Sequence, residues 1–390
     1  MRDTLNRRSF LLGAAPAAAF TAATLTATTL TEGHLVAQAP APAPPITSRT
    51  VYLASDAPPV SPEDHLAVLM AALAKHAGKE DNYLKGGAVS ELEEKVAAML
   101  GKEDCTFLPT GTLANNLAVR VLAGTHKHMI TQADSHLYAD ESDAPAILSG
   151  LTTQPIAPGK AAPSYDEVAA AILDAEHRAY PLKVGVLSIE SPVRRHNGES
   201  VPIATVEKIC ALAKSKGIGT HWDGARAFML LGTPGYDIKA TASHYDTVFV
   251  SLYKALHAPF GAMLAGPKEK IDQVRDLRHV CGGLIYHGWV AALPALNALD
   301  GLEERWRKSR AAGEVVLGKL KAGGYTTTRV PNESNIVLVT APAAKVAGLP
   351  GRLLKADIRA RIAPDGTMPF FINETILRQS TDTIAAAFLA

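Results

Sequence analysis

Residues 218–265 read IGTHWDGARAFML and then, after a short interval, YDTVFVSLYKALHAPFGAMLA. Two short apolar runs, 218–222 and 247–251, stand out, and Gly217 ends the helical pattern before the first. Both read as buried strands. The same alternation runs upstream. Residues 105–108, 129–131 and 184–189 are strand candidates, and helices are expected to start at Ser61 with Pro62, at Ser90 with Glu93, and at Ser164 with Glu167. Residues 203–216 are amphipathic and feed the strand that stops at Asp223. A chain that alternates in this way can bury its strands only as a mainly parallel sheet covered by helices, so the expected class is α/β.

Open α/β sheets bind ligands at the carboxyl ends of their strands, and that is where this chain places its polar residues. Asp223 ends one strand, and Lys254 follows the next in a tight turn. A lysine held against an apolar sheet edge has a lowered pKa and can form a Schiff base. A nearby carboxylate complements a cationic ring nitrogen, and the two together are what pyridoxal phosphate requires of a protein. Singly, each has a plainer reading as a surface lysine or a turn aspartate. The run Pro109-Thr110-Gly111-Thr112 joins a strand to the helical LANNLAVRVLAG. Unpaired N–H groups and the helix dipole make that turn an anion site, placing a phosphate at Gly111 and Thr112. His136, after the strand at 129–131, is placed to stack on a flat cofactor, and Glu141 follows it. Glu190 and Arg194 sit at another strand end, with Arg195 and His196 read as solvated loop.

At 390 residues and 47% hydrophobic, the chain is long enough for a large domain and a smaller one. A formal net charge of +1 without charge runs gives no electrostatic case for nucleic acid. No metal site is read. Cys105, Cys210 and Cys281 are expected as small core residues rather than a disulfide. Near the amino terminus, Arg7-Arg8 precedes a moderately apolar, alanine-rich stretch and reads as a Tat-like export signal over residues 1–39. Pro16 and the many Thr and Ala residues make this stretch too weakly apolar for a membrane span, so no stable membrane association is expected once the signal is removed. The expected location is periplasmic or secreted, or cytoplasmic if the signal is not used. Residues 40–50 continue a stiff Pro/Ala linker.

After residue 266 the pattern is helical to Arg278, breaks at 279–283 and resumes as one long helix over 289–306. From about Leu296 a smaller α+β unit is expected, with a helix at 310–322 and strands at 326–330, 334–339, 358–362 and 375–378.

These pieces resemble, in order, the threonine aldolase / aromatic amino acid β-eliminating lyase family of fold-type-I pyridoxal phosphate enzymes, from about residue 51 onward. The resemblance rests on Tyr83 with LKGGAV, PTGTLANN from Pro109, His136 with Glu141, ESPVR from Glu190, HWDGAR from His221, and SLYK ending at Lys254. It implies a mainly parallel seven-stranded sheet in a large cofactor domain, residues 51–295, a small C-terminal domain, residues 296–390, and a homodimer or homotetramer. It implies that Lys254 forms the Schiff base and Asp223 faces the pyridine nitrogen. Gly111 and Thr112 would hold the phosphate with Ser251 as helper, and His136 would stack on the ring. Arg226 and Arg378, with Ser55 as a weaker match, would receive the carboxylate of an amino acid substrate, because paired guanidinium groups fix which bond stands perpendicular to the ring.

The implied reaction cleaves the Cα–Cβ bond of a β-hydroxy-α-amino acid of the L-threonine or L-allo-threonine type to glycine and an aldehyde, with His136 or a bound water as base. Alternatives are β-elimination or transamination on the same cofactor, and a catalytically idle exported binding protein of the same fold. The chain departs from the family's aldolases at Gly86-Gly87-Ala88, where they carry Asp-Pro-Thr, and at Ser191-Pro192-Val193, where they carry Asn-Thr-His, so Val193 replaces a histidine.

Overall fold

A computed structural model describes residues 45–76 and 80–390, and the expected export signal at 1–39 lies outside the described residues. The strands are β1 (Val51–Tyr52), β2 (Asp104–Leu108), β3 (His128–Gln132), β4 (Thr152–Ile156), β5 (Val184–Glu190), β6 (Gly219–Asp223), β7 (Thr247–Ser251) and β8 (Ala262–Gly266). Toward the carboxyl terminus come β9 (Thr326–Thr328), β10 (Ile336–Thr340), β11 (Ile358–Arg359) and β12 (Thr367–Phe371). Seven of these make the central sheet, in the order β2-β8-β7-β6-β5-β3-β4. Four neighbouring pairs, from β7 through β6, β5 and β3 to β4, are parallel. β8 runs antiparallel to both β2 and β7. Two reversals leave β2 pointing the same way as β7, so the carboxyl ends of six strands share one edge. β5 and β7 are buried along their whole length, as strands covered by helices on both faces must be. The fold is therefore the expected α/β one.

Local signals explain most boundaries. Ser61 accepts from the Asp64 N–H at the start of helix Pro62–Lys75. Ser164 and Glu167 form the reciprocal capping box of helix Tyr165–Glu176. Three expectations fail. Ser90 and Glu93 do not cap a helix, because the helix Gly87–Leu100 starts earlier, after Gly86 takes up a positive φ of 80°. Ser90 instead accepts from the Gly86 N–H, and Glu93 accepts from the Phe107 N–H. The expected long helix over 289–306 is two, Trp289–Leu299 and Leu302–Ala322, broken where Gly301 turns left-handed. The strand expected at 375–378 is a 3₁₀ turn, Glu374–Arg378, started by Asn373, whose side chain accepts from the Thr375 N–H. β4 went unread because TTQPI is mostly polar, carries a proline and lies at the sheet edge, where a missing N–H costs no ladder bond.

Ile46–Ala390 is one compact unit holding two main bodies of core. The larger surrounds the central sheet, and the second gathers Val316, Tyr325, Val337, Phe370 and Phe388 beneath the antiparallel sheet β12-β10-β9. The helix Leu302–Ala322 belongs to both, giving Trp306 to the first and Val316 and Leu320 to the second. Val51 and Leu53 also pack in the second core, where β1 pairs in parallel with β11. All three cysteines are free, with Cys105 and Cys210 buried and Cys281 partly so.

Candidate active site

The shared edge of the sheet opens into a cavity of about 350 Å³, a size that suits a coenzyme. Each strand end delivers a wall. β2 leads through Pro109 to the helix Gly111–Ala123, β3 to His136, β5 to Glu190, β6 to Asp223 and β7 to Lys254. Lys254 and Asp223, expected to converge, line this one cavity together with Gly111, Thr112, His136 and Arg226. At the helix start Thr110 accepts from the Leu113 N–H, and its carbonyl accepts from Ala114. The remaining first-turn donors are those of Gly111 and Thr112. Gly111 is required by space: a Cβ there would sit 2.6 Å from the Phe249 ring.

The half-buried ammonium of Lys254 lies 5.5 Å from the Tyr253 ring centroid. Burial, then the charge of Arg226, push its pKa down to about 8, while Asp223, Asp56 and Glu190 pull the other way. A useful fraction of the amine is thus neutral near physiological pH. Asp223 is buried and fixed from two sides, accepting from the Asn115 side chain at 2.8 Å and from the Ala225 N–H at 3.1 Å. Asn115 also donates to Glu141, and its carbonyl oxygen lies 3.0 Å from Nε2 of His221. His221 is fully buried with its other nitrogen 2.9 Å from the Thr247 hydroxyl, and burial drives its pKa down to about 4. Neutral His221 therefore donates from Nε2 to Asn115. That orients the amide, whose nitrogen then faces the two carboxylates.

Glu141 anchors His136 through Nδ1 at 3.0 Å, and this hydrogen bond raises the imidazole pKa against the opposing effect of burial. His136 is thus held at the main cavity by Glu141 and by the backbone after β3. Glu190 accepts from the backbone N–H groups of His136 and Arg194, and burial followed by the nearby Asp223 raises its pKa.

Of the expected carboxylate-binding residues, only Arg226 lines the main cavity. Arg226 is buried and pairs with Asp56 at 2.9 Å. Arg378 lines a separate cavity of about 160 Å³ that also includes Lys254 and Asp56, and its guanidinium donates to the Thr50 carbonyl. Ser55 lines a third cavity beside Lys254, its hydroxyl donating to the Ala57 carbonyl. Ser251 does not line the main cavity, but its Oγ is buried without a partner among the described residues. Arg194 and Arg195 both pair with Asp140, and His196 with Asp134. Sequence reasoning missed Asn115, Asp56 and His221 as site builders. Asn115 and His221 stood inside the runs PTGTLANN and HWDGAR, and Asp56 directly follows Ser55, but only tertiary contacts reveal what they hold.

The model of the family described as "Beta-eliminating lyase" matches residues 65–342. The chain belongs to the beta-eliminating lyase family. Among curated relatives of this chain, "Alanine racemase TOXG" from Cochliobolus carbonum is 32% identical over 234 residues, 59% of each chain. "Low specificity L-threonine aldolase" from Escherichia coli (strain K12) is 27% identical over 292 residues, 74% of this chain and 85% of that one. A solved threonine aldolase from Leishmania major superposes with a TM-score of 0.69 at 16% identity, covering 87% of this chain and 97% of that one. The fold is that of the fold-type-I pyridoxal phosphate enzymes.

The residues present fit that cofactor. A pair of helix-start donors, a lysine of lowered pKa and a buried carboxylate meet around one cavity of suitable size, and β7, the strand that leads to the lysine, ends at the Ser251 hydroxyl, which has no partner among the described residues. The protein is a pyridoxal phosphate enzyme.

Proposed function

We propose that this enzyme cleaves the Cα–Cβ bond of a β-hydroxy-α-amino acid, of the L-threonine or L-allo-threonine type, to give glycine and an aldehyde. The observation that carries the reading is the meeting of Lys254, Asp223 and the helix start at Gly111 in one cavity that has two arginines nearby. Bound pyridoxal phosphate supplies an electron sink for charge developing at the substrate Cα. Lys254 would provide the amine that holds the cofactor. Asp223, locked by Asn115, keeps a cationic ring nitrogen protonated. The N–H groups of Gly111 and Thr112, with the Ser251 hydroxyl, receive the phosphate. His136, tied back to Glu141, covers the ring. Arg226 and Arg378 approach Lys254 from two cavities and receive the substrate carboxylate between them. The likeness to the E. coli threonine aldolase supports this choice of reaction.

A second reading, proton transfer at Cα without carbon–carbon cleavage, is favoured by the likeness to the Cochliobolus carbonum racemase and by Val193, which is buried and offers no imidazole. The same proposal includes export under the twin-arginine leader and assembly into at least a homodimer, checked by fractionation of expressing cells and by light scattering.

The deciding experiment loads purified protein with pyridoxal phosphate and follows L-threonine, L-allo-threonine, L-serine and both alanine enantiomers by NMR. Glycine with acetaldehyde supports the lyase. Inversion of alanine alone selects the racemase reading, a keto acid with free ammonia selects β-elimination, and a keto acid with the pyridoxamine form of the cofactor and no ammonia selects transamination. A protein that takes up cofactor yet turns over none of these sinks the reaction assignment.

A further inference from the structure

His136 is not the only imidazole beside Lys254. The short helix Leu252–Ala255 carries the lysine, and two residues beyond its end His257 adopts a φ of +55°, a left-handed conformation that side chains rarely take. Strained residues of this kind persist where the surrounding structure holds them, and they cluster at functional sites. His257 lines both the 160 Å³ cavity that contains Arg378 and the neighbouring cavity of about 350 Å³ walled by Pro58, Val60 and His65. Lys254 lines these two as well as the main cavity, so it stands where all three meet. His136 lies in the main cavity with Asp223 and the helix start, whereas His257 lies in the cavities toward Arg378.

The imidazole is also oriented. Its Nε2 is 3.5 Å from Oε2 of Glu374, an oxygen that accepts from Arg305 Nε at 3.0 Å. Burial works to raise the Glu374 pKa, but His257 and Arg305 outweigh it and hold the carboxyl below its ordinary value, so it remains an anion. With Nε2 turned to Glu374, Nδ1 is the nitrogen whose lone pair can accept a proton.

We infer that His257, oriented by Glu374, is the base that receives the β-hydroxyl proton of the substrate. This rests on the lyase reading above. The hydroxyl proton passes to Nδ1, the C–O bond becomes a carbonyl as the Cα–Cβ bond breaks, and the bonding electron pair remains at Cα. Proton return to Cα then completes glycine. His257 thereby takes the base role expected of His136 or a bound water. The charged and titratable groups facing it are Glu374 and Arg305, with Asp56, His65, Lys254 and Arg378 around the two cavities.

The test compares wild type with His257→Gly and His257→Asn in the loaded enzyme, measuring threonine cleavage and, separately, exchange of the glycine α-proton for deuterium. Glycine tolerates positive φ, so the first variant keeps the fold and leaves a space that added imidazole can enter. We expect kcat for cleavage to fall roughly 100-fold or more in both variants, exchange to stay within about threefold, and millimolar imidazole to restore part of the cleavage in His257→Gly. Cleavage that survives both substitutions overturns the inference, as does equal loss of cleavage and exchange, which marks a structural role. A wild-type enzyme that exchanges the glycine proton but releases no aldehyde overturns the lyase reading itself, and this inference with it.

Discussion

Acid should weaken this fold through one side chain, His221. Its imidazole is fully buried between Thr247 and Asn115, and burial lowers its pKa from 6.5 to about 4 in the folded protein. The unfolded chain keeps the ordinary value. Between those two pH values the unfolded state holds more protons at this site, so stability is complete above about pH 6.5 and is lost as pH falls toward about 4. At about 1.36 kcal/mol per unit, the limiting loss is about 3 kcal/mol, and some 2 kcal/mol of it is gone by about pH 5. The assay is urea unfolding of wild type and His221→Gln from about pH 7.5 to about pH 4.5. The variant starts less stable, because it gives up buried hydrogen bonds, but its stability should fall less steeply, so the gap between the two narrows by about 2 kcal/mol at about pH 5. Taking the difference removes the opposing contribution of Glu190, whose raised pKa makes its burial less costly in acid. Two parallel stability curves would refute the argument, because they would show that His221 is charged when folded.

Gly111→Ala should cost about 1–3 kcal/mol in urea unfolding and weaken pyridoxal phosphate binding, since its Cβ would lie 2.6 Å from the Phe249 ring at the helix start. The rate at which cofactor-free protein forms its Schiff base should rise with pH, with a midpoint near the Lys254 value of about 8, and Lys254→Ala should yield no borohydride-fixed adduct. Arg226→Met strands the largely buried Asp56 carboxylate and should destabilise by about 3 kcal/mol, while adding Asp56→Asn to it should recover part of the loss in the same unfolding assay.

The strand ends were legible because each apolar run is short, bounded and followed by a polar residue. That pattern alone placed Asp223, Lys254 and the turn at Gly111 on one edge, and β5 to β7 lie within a residue or two of where the runs predicted them. What stayed hidden depends on distance along the chain. Asp56 reaches Arg226 across 170 residues, and Asn115 reaches Asp223 across 108, separations that no local period encodes. His257 was hidden for a different reason. Its residue type looks like loop, and only the backbone dihedral and the shared cavities give it significance. The failed capping box at Ser90 shows the opposite error, in which a strong local signal yielded to Gly86 and Gly87, four and three residues earlier.

The pairing of β1 with β11 has a consequence for assembly order. Val51 finds its strand partner only at Ile358, and the side chain of Asn373 closes on the Tyr52 carbonyl. The segment that presents Asp56 to Arg226 is therefore secured by residues made almost last, so a nascent chain can build the central sheet well before it can balance the charge at its reaction centre. Trimming from the front that passed Asp56 would remove that counter-charge along with β1 and loosen the far end of the molecule at one stroke.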